Sequence, residues 1–419
     1  MPVPSVPDPK VYLERLTARG PAMLDDLDAL VSAESPSSDP DALRACRSVL
    51  EETGTRLLGE RPTVLPGSES SGTSGSSGTS GSSVTSGGPG TPGGLLWRLG
   101  PADRPPVLLV GHLDTVWPLG TLRRRPFAVR DSRATGPGVF DMKAGLVQGL
   151  HALSELRAMT GAYPAVAFLV TTDEEVGSPL GGPVVTEWAR ASRTALVLEG
   201  AADGGALKHA RKGWSFYDIS VQGRAAHAGL DPLEGRNALV DLAGVVVELH
   251  RLASADGETT VTPTMAAAGT TRNTVPDHAH VMVDVRAPDS AAQEHLDGAL
   301  RHLVAGTAQL PFEITGGVNR PPLEETHARE PLRLARTAFT RLGLPWPGSA
   351  RVGGVSDGNL CAATGTPTLD GLGAVGGGAH AEHEWADVAR IPERAALVGM
   401  MTAQLDAETR RETGPETDG

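Results

Sequence analysis

The chain is 419 residues long, enough for two domains of ordinary size and a large buried core. Its 37 lysines and arginines against 50 aspartates and glutamates leave a formal charge of −13, so it carries no global basic field of the kind that binds nucleic acid. Hydrophobic residues make up 39% and charged residues 21%, as in soluble globular proteins; no run reaches the roughly 18–20 apolar residues of a membrane span, and the opening Met1-Pro-Val-Pro-Ser-Val-Pro-Asp lacks the basic and apolar regions of a secretory leader.

Met23, Leu24, Leu27, Leu30 and Val31 keep the spacing of an amphipathic helix. A second helix opens at Asp39-Pro40, a cap followed by a first-turn proline, and places Leu43, Cys46 and Leu50 on one face. The chain's two cysteines, Cys46 and Cys361, form neither a disulfide framework nor a CxxC pair, and a reducing cytoplasm is the expected compartment. Residues 67–94 are almost entirely Gly, Ser, Thr and Pro, too poor in apolar surface to offset their ordering entropy, and read as a disordered hairpin insertion between Thr63-Val-Leu and Leu95-Leu-Trp-Arg-Leu. Val107-Leu-Leu-Val, Val166-Ala-Phe-Leu-Val and Ala195-Leu-Val-Leu are continuous apolar runs, as in strands buried on both faces, and Leu146–Leu156 has helical spacing. Strand, helix, strand in this order predicts an α/β domain with a mostly parallel central sheet and flanking helices.

From about residue 208 the pattern changes. Phe216–Gly223 alternates like a half-exposed strand, and Asn237–Leu252 is an apolar helix. Strands follow at about 260–271 and 278–286, then a helix from about Ser290 to Val304 and a strand near Phe312. The order β-α-β-β-α-β predicts a small ferredoxin-like α+β domain. The expected organisation is a discontinuous catalytic domain, 1–207 and 321–410, interrupted by an inserted domain, 208–320, with a flexible tail at 411–419.

Polar residues collect just past the C-terminal ends of the apolar strands, where open α/β sheets place their ligands. These are His112 and Asp114 after the first, Asp173-Glu174-Glu175 after the second and Glu199 after the third. Gly136-Pro-Gly-Val-Phe-Asp141-Met-Lys143 turns into a helix, and His380 is followed by His383, Glu384 and Trp385. Asp114 is positioned to accept the proton on the second ring nitrogen of His112 and fix its tautomer. Asp141, Glu175 and Glu199 bring three negative charges into one cleft, an arrangement unfavourable without a cation. Two divalent ions neutralise it, and imidazole with carboxylate is a ligand mix that suits zinc.

His112-Leu-Asp114-Thr-Val, Gly136–Lys143, Asp173-Glu174-Glu175-Val-Gly, Glu199-Gly and His380 resemble, in order, the motifs of the co-catalytic zinc peptidase family. That family includes bacterial glutamate carboxypeptidases, acetylornithine deacetylase, succinyl-diaminopimelate desuccinylase and the aminoacylases. Gly223-Arg-Ala-Ala-His227-Ala-Gly, with Pro232, Glu234, Gly235 and Asn237, resembles its dimerisation-domain signature. The resemblance covers about residues 20–405, with the Gly/Ser-rich insertion as the main departure. It implies two Zn²⁺ per chain, with Co²⁺ or Mn²⁺ as substitutes, bridged by Asp141; His112 and Glu199 complete one ion, Glu175 and His380 the other. His383 is the alternative to His380, but Glu384-Trp385 follows His380 at the family's usual spacing.

The resemblance further implies that Glu174 is the general base for a metal-bridging water and that Asp114 supports catalysis. His227 would reach the oxyanion in the partner subunit of a homodimer formed through the inserted domain, and Asn273 would contact substrate. Lys212 and Arg286 are candidate cations for the carboxylate of an N-acyl amino acid or short peptide, with Arg351 as a further one. Ser356-Asp357-Gly358 resembles a loop beside the active site. The implied reaction is amide hydrolysis releasing an amino acid, by a carboxypeptidase or N-acyl-amino-acid amidohydrolase, possible products including glutamate. Deacylase, di-zinc aminopeptidase and non-catalytic readings are the alternatives, and no ligand or base is replaced as the last would require. His278 and His280 alternate on a strand and read as its solvated face.

Overall fold

The computed structural model describes residues 6–68 and 90–413. The chain divides into two compact units, the first formed by the chain before Arg211 with Glu325–Val352 and the chain from Ser356, the second by Arg211–Glu324 with Gly353–Val355.

In the first unit, strands Val166–Thr171, Val107–His112, Thr194–Val197 and Thr368–Leu369 lie side by side and parallel. Leu95–Leu99 adds to Val166–Thr171 antiparallel, and Thr63–Val64 closes that edge. The apolar runs are explained by burial on both faces. Val107 and Leu109 join the core formed with helices Tyr12 and Leu16 belong to (Pro9–Ala18), Gly20–Ser32, Pro40–Leu58 and Ala144–Thr160, whereas Leu108 and Val110 face Val185 and Ala189 of Gly181–Ala191. The helix expected at Asp39-Pro40 runs over Pro40–Leu58; the Asp39 carboxylate accepts the Asp41 and Ala42 N–H groups, a cap contributing about 1 kcal/mol, and Gly59 ends it at φ +72°.

Two expectations change at their margins. Of the 67–94 insertion, 69–89 lie outside the described residues, yet its ends are part of the structure: Thr91–Gly94 are buried, and Ser68 N–H donates to the Thr91 carbonyl at 3.0 Å. A Cβ on Gly93 would stand 1.9 Å from the Leu65 carbonyl oxygen, so close backbone approach, not apolar content, extends the hairpin. At the other end the last helix spans Arg390–Thr413, three residues into the expected tail, and 414–419 lie outside the described residues. Among the described residues no helix is long and apolar enough to cross a membrane.

The second unit is a four-stranded antiparallel sheet in the order Thr260–Ala268, His278–Ala287, Gly213–Gln222, Phe312–Arg320. Helices Ala238–Leu249 and Ser290–Thr307 contribute Leu242, Val245, Leu296 and Leu300 to the core on one face, beside Tyr217, Ile219, Val281 and Val283. Strict alternation of buried and half-buried residues from Gly213 to Val221 accounts for the period-two sequence signal. The unit runs past Arg320 because Arg211 and Leu323 exchange backbone hydrogen bonds, and the Arg211 guanidinium holds the Gly354 and Val355 carbonyls.

Candidate functional site

His112 ends a parallel strand, and Glu175 and Glu199 follow the two strands on either side of it. Asp141 lies in the turn that opens helix Ala144–Thr160. His380 is brought alongside by elements that leave little trace in sequence: Gly376–Gly377, Trp385–Asp387, Arg133–Thr135 and Ala128–Arg130 form a small sheet in that order. It pairs Trp385 with Thr135, so the His380 turn and the Gly136–Lys143 turn leave the same edge together.

His112 Nε2 lies 3.2 Å from Asp141 Oδ1 and 3.4 Å from Glu199 Oε1. His380 Nε2 lies 3.3 Å from Asp141 Oδ2 and 3.1 Å from Glu175 Oε2. The two oxygens of Asp141 thus face different imidazoles, and His112, Asp141, Glu199 and Asp141, Glu175, His380 each present donor atoms within 4.8 Å of one another. His380, not His383, is the histidine the fold brings into these groups.

Electrostatics register the crowding. Burial, and then the nearby Asp141 charge, push the Glu175 carboxyl up to about 7 against the pull of His380. Hydrogen bonds to Asp141 and Glu175 hold His380 up to about 10. For Asp141 burial works upward, but the His112 and His380 imidazoles outweigh it and keep the carboxyl well below the usual range. Glu175 Oε1 is buried without a hydrogen-bond partner among the described residues. A buried carboxylate oxygen left over beside two imidazoles and two further carboxylates is what a divalent cation would satisfy, and the oxygen and imidazole donors suit zinc.

Asp114 is fully buried and differs from expectation in one respect. The His112 Nδ1 hydrogen bond is made with the Asp114 main-chain carbonyl at 3.0 Å, and the carboxylate is 3.5 Å away. The carboxylate instead accepts the backbone N–H groups of Glu174 and Glu175, both at 3.1 Å, and the Ser37 hydroxyl at 2.7 Å. One segment therefore orients His112 through its backbone and the Glu174-Glu175 turn through its side chain. Burial works to lower the His112 proton affinity, but Asp114, Asp141 and Glu199 outweigh it and raise that affinity, with a smaller push from the Glu174 charge.

Sequence reasoning used Glu384 only as a spacing marker, and the structure gives it a role. Its carboxylate is fully buried and accepts the N–H groups of Gly138, Phe140 and Asp141 and the Trp117 indole. Asp357 likewise holds the Ser356–Gly358 loop, accepting the Thr171 and Ser178 hydroxyls.

His227, Asn273, Lys212 and Arg286 belong to the second unit. His227 is exposed, and its Nδ1 accepts N–H groups from Gly229 at 3.1 Å and Leu230 at 3.0 Å, which leaves the ring proton of the neutral form on Nε2. Asn273 lies on the facing segment, its carbonyl accepting the Ala228 N–H. Lys212 Nζ donates to the Gly257 carbonyl, and Glu258 is 3.7 Å from it. Arg286 makes a two-point pair with Asp284 and stacks over Trp214. The His278 and His280 rings occupy the less buried positions of the same strand as Arg286, as expected.

Residues 108–403 match the model of peptidase family M20/M25/M40. The chain belongs to this family. Family M20/M25/M40 enzymes are metal-dependent, typically zinc-dependent, peptidases and amidohydrolases, and the two donor groups around Asp141 are candidate metal-binding sets among the described residues. Carboxypeptidase G2 of Pseudomonas sp. (strain RS-16) is 28% identical over 410 residues, 95% of this chain and 92% of that one. Succinyl-diaminopimelate desuccinylase of Leptothrix cholodnii is 33% identical over 187 residues, 40% of this chain and 48% of its own length. An M20 family metallo-carboxypeptidase from Sulfolobus solfataricus superposes with a TM-score of 0.70 at 16% identity, covering 92% of this chain and 99% of that one. A tripeptidase from Staphylococcus aureus gives 0.70 at 19% identity, covering 93% and 99%. At these identities the solved structures establish the fold alone.

Proposed function

We propose that this chain hydrolyses an amide bond in an N-acyl amino acid or short peptide and releases an amino acid with a free carboxylate. The observation that carries this reading is the shared Asp141, one oxygen toward His112 and Glu199 and the other toward His380 and Glu175, with Glu174 on the adjoining turn. We assign His112, Asp141 and Glu199 to one divalent ion and Asp141, Glu175 and His380 to a second. Bound there, such ions supply Lewis-acid polarisation of a carbonyl and a water acidic enough to attack at neutral pH. Glu174 takes the proton from the attacking water and returns it to the departing nitrogen. Asp114 keeps Glu174 in place by accepting its N–H.

His227 offers an Nε2–H donor fixed by its own loop, suited to stabilising a developing oxyanion. Asn273 is its neighbour across the bridge between His227 and Thr274. Lys212 and Arg286 remain candidates for the substrate carboxylate, though each would exchange an existing partner to bind it. The second unit is also where we place a homodimer contact: Leu239, Val240 and Val247 of helix Ala238–Leu249 are exposed, as is Met265 on the sheet's edge strand. Both cysteines are free and buried, in keeping with a cytoplasmic enzyme.

Likeness to carboxypeptidase G2 along almost the whole chain favours the carboxypeptidase reading, and the desuccinylase match keeps deacylation as the second. The deciding experiment offers metal-stripped protein, with and without Zn²⁺, N-acyl and peptidyl derivatives of Glu, Asp, Ala, Leu and ornithine. Zn²⁺-dependent release of a C-terminal amino acid is expected. Release of N-terminal residues from free-amine peptides, or no turnover with metal bound, would overturn the proposal.

A further inference from the structure

Four donors converge on one buried carboxylate at the end of the His380 turn, three from the turn that carries Asp141 and the fourth from the Trp117 indole. Glu384 Oε1 accepts the Phe140 N–H at 2.9 Å and the Asp141 N–H at 3.1 Å. Its Oε2 accepts the Gly138 N–H at 3.0 Å and the Trp117 indole N–H at 2.9 Å. The three backbone donors, Gly138, Phe140 and Asp141, belong to one turn that only glycine permits at Gly138, whose φ is +74° and where a Cβ would stand 2.6 Å from Thr115 Cγ2. The same residue ends the His380 turn, which is tied by Ala381 N–H to the Gly378 carbonyl and Glu384 N–H to the Ala381 carbonyl, both at 2.9 Å. His380 has φ +61°, a conformation unfavourable for a side-chain-bearing residue unless its surroundings hold it. Its imidazole is half exposed and, among the described residues, its polar contacts are Asp141 and Glu175, so the backbone anchored by Glu384 decides where it points.

Resting on the reading of this centre as a metal site, we infer that Glu384 is a positioning residue that locks Asp141 and His380 to one another and so sets the affinity for metal. It touches no metal-facing atom itself. It fixes the peptide N–H of the shared ligand and the turn bearing His380 through a single rigid group, so a shift of one is a shift of both. A carboxylate is required, because both oxygens accept from two donors. Glutamine has the same shape, but its amide nitrogen would meet two N–H groups donor against donor, whichever way it is turned.

The test is a titration of metal-free protein with Co²⁺, followed by its visible absorption, for wild type and Glu384→Gln. Wild type is expected to take up two ions. The variant is expected to bind with about 10–100-fold weaker affinity, as when partners of metal ligands are removed, and with an altered spectrum, while its metal-free melting curve shows it folded at the titration temperature. Wild-type affinity and spectrum in E384Q would overturn the inference and leave the metal centre standing. Failure of wild type to bind Co²⁺ would instead remove the metal centre, and the inference with it. If E384Q does not fold, Trp117→Phe takes away one of the four donors and nothing else of the brace: about fivefold weaker binding is expected for a lost hydrogen bond, and unchanged binding would overturn the inference.

Discussion

Glu174 and Glu175 are neighbours in sequence to which we assign opposite tasks, and their surroundings separate them. Glu175 lies against Asp141 and His380, its side chain 7% exposed, with one oxygen left unsatisfied among the described residues. Glu174 stands half-buried on the turn whose first N–H is held by Asp114. Replacing Glu174 by Gln preserves shape and removes only proton acceptance. Glu174→Gln is therefore expected to keep its full metal content, measured by elemental analysis, and to lose about 10²–10⁴-fold in kcat. Loss of metal together with activity would instead place Glu174 among the ligands. The residues in this pair were legible in sequence because acidic side chains at strand ends carry a compositional signal. Glu384 was not: three of its four donors are backbone N–H groups, which every residue except proline has.

At the scale of elements, two connections do the assembling. Asp114 joins the end of Val107–His112 to the turn after Val166–Thr171, and the small sheet joins the His380 turn to the segment before Asp141. The large strands were legible because burial on both faces demands uninterrupted apolar residues, as in Val107–Val110 and Val166–Val170. The ferredoxin-like order was legible because Gly213–Gln222 and His278–Ala287 alternate along one covered face. Gly376–Gly377 and Arg133–Thr135 were not, since strands of two or three residues establish no period, and His112's partner was misread because a backbone carbonyl has no side-chain signature. From the Asp114 connection follows a second prediction. Asp114→Asn leaves the carbonyl contact to His112 intact but sets an amide group against one of the Glu174 and Glu175 N–H donors. Metal affinity is expected to fall by about 10–100-fold, read by chelator competition, with Glu174→Gln showing no such fall.

For the whole molecule, the centre links stability to pH and metal. Without metal, burial raises Glu175 from its usual carboxylate range to about 7, and carboxylate partners raise His380 to about 10. Both folded-state values exceed the unfolded ones. Their contribution to stability is thus present in full at low pH, begins to fade above the ordinary glutamate range, and is lost as pH rises through about 7 for Glu175 and about 10 for His380. Bound metal requires the deprotonated forms and reverses the penalty. The gap in Tm between metal-loaded and chelator-treated protein is accordingly expected to widen from pH 6 to pH 9, and a gap that narrows would contradict these assignments.

The largest question of assembly is whether His227 serves its own chain's centre or a partner's. Its exposure, and a loop that fixes Nε2 as a donor with no hydrogen-bond partner for it among the described residues, suit a group presented to another surface. Two inactive variants decide the matter. Glu174→Gln lacks the base and keeps the donor; His227→Ala lacks the donor and keeps the base. In a symmetric dimer with the donor acting across the interface, a mixed dimer contains one site with Glu174 in its own chain and His227 from its partner. Random reassortment makes about half the dimers mixed, each with one of two sites intact, so mixing equal amounts is expected to restore about a quarter of wild-type activity. If His227 acts within its own chain, every mixed dimer carries one defect per site and mixing restores nothing. Metal content, unchanged in both variants, separates either outcome from a collapsed centre.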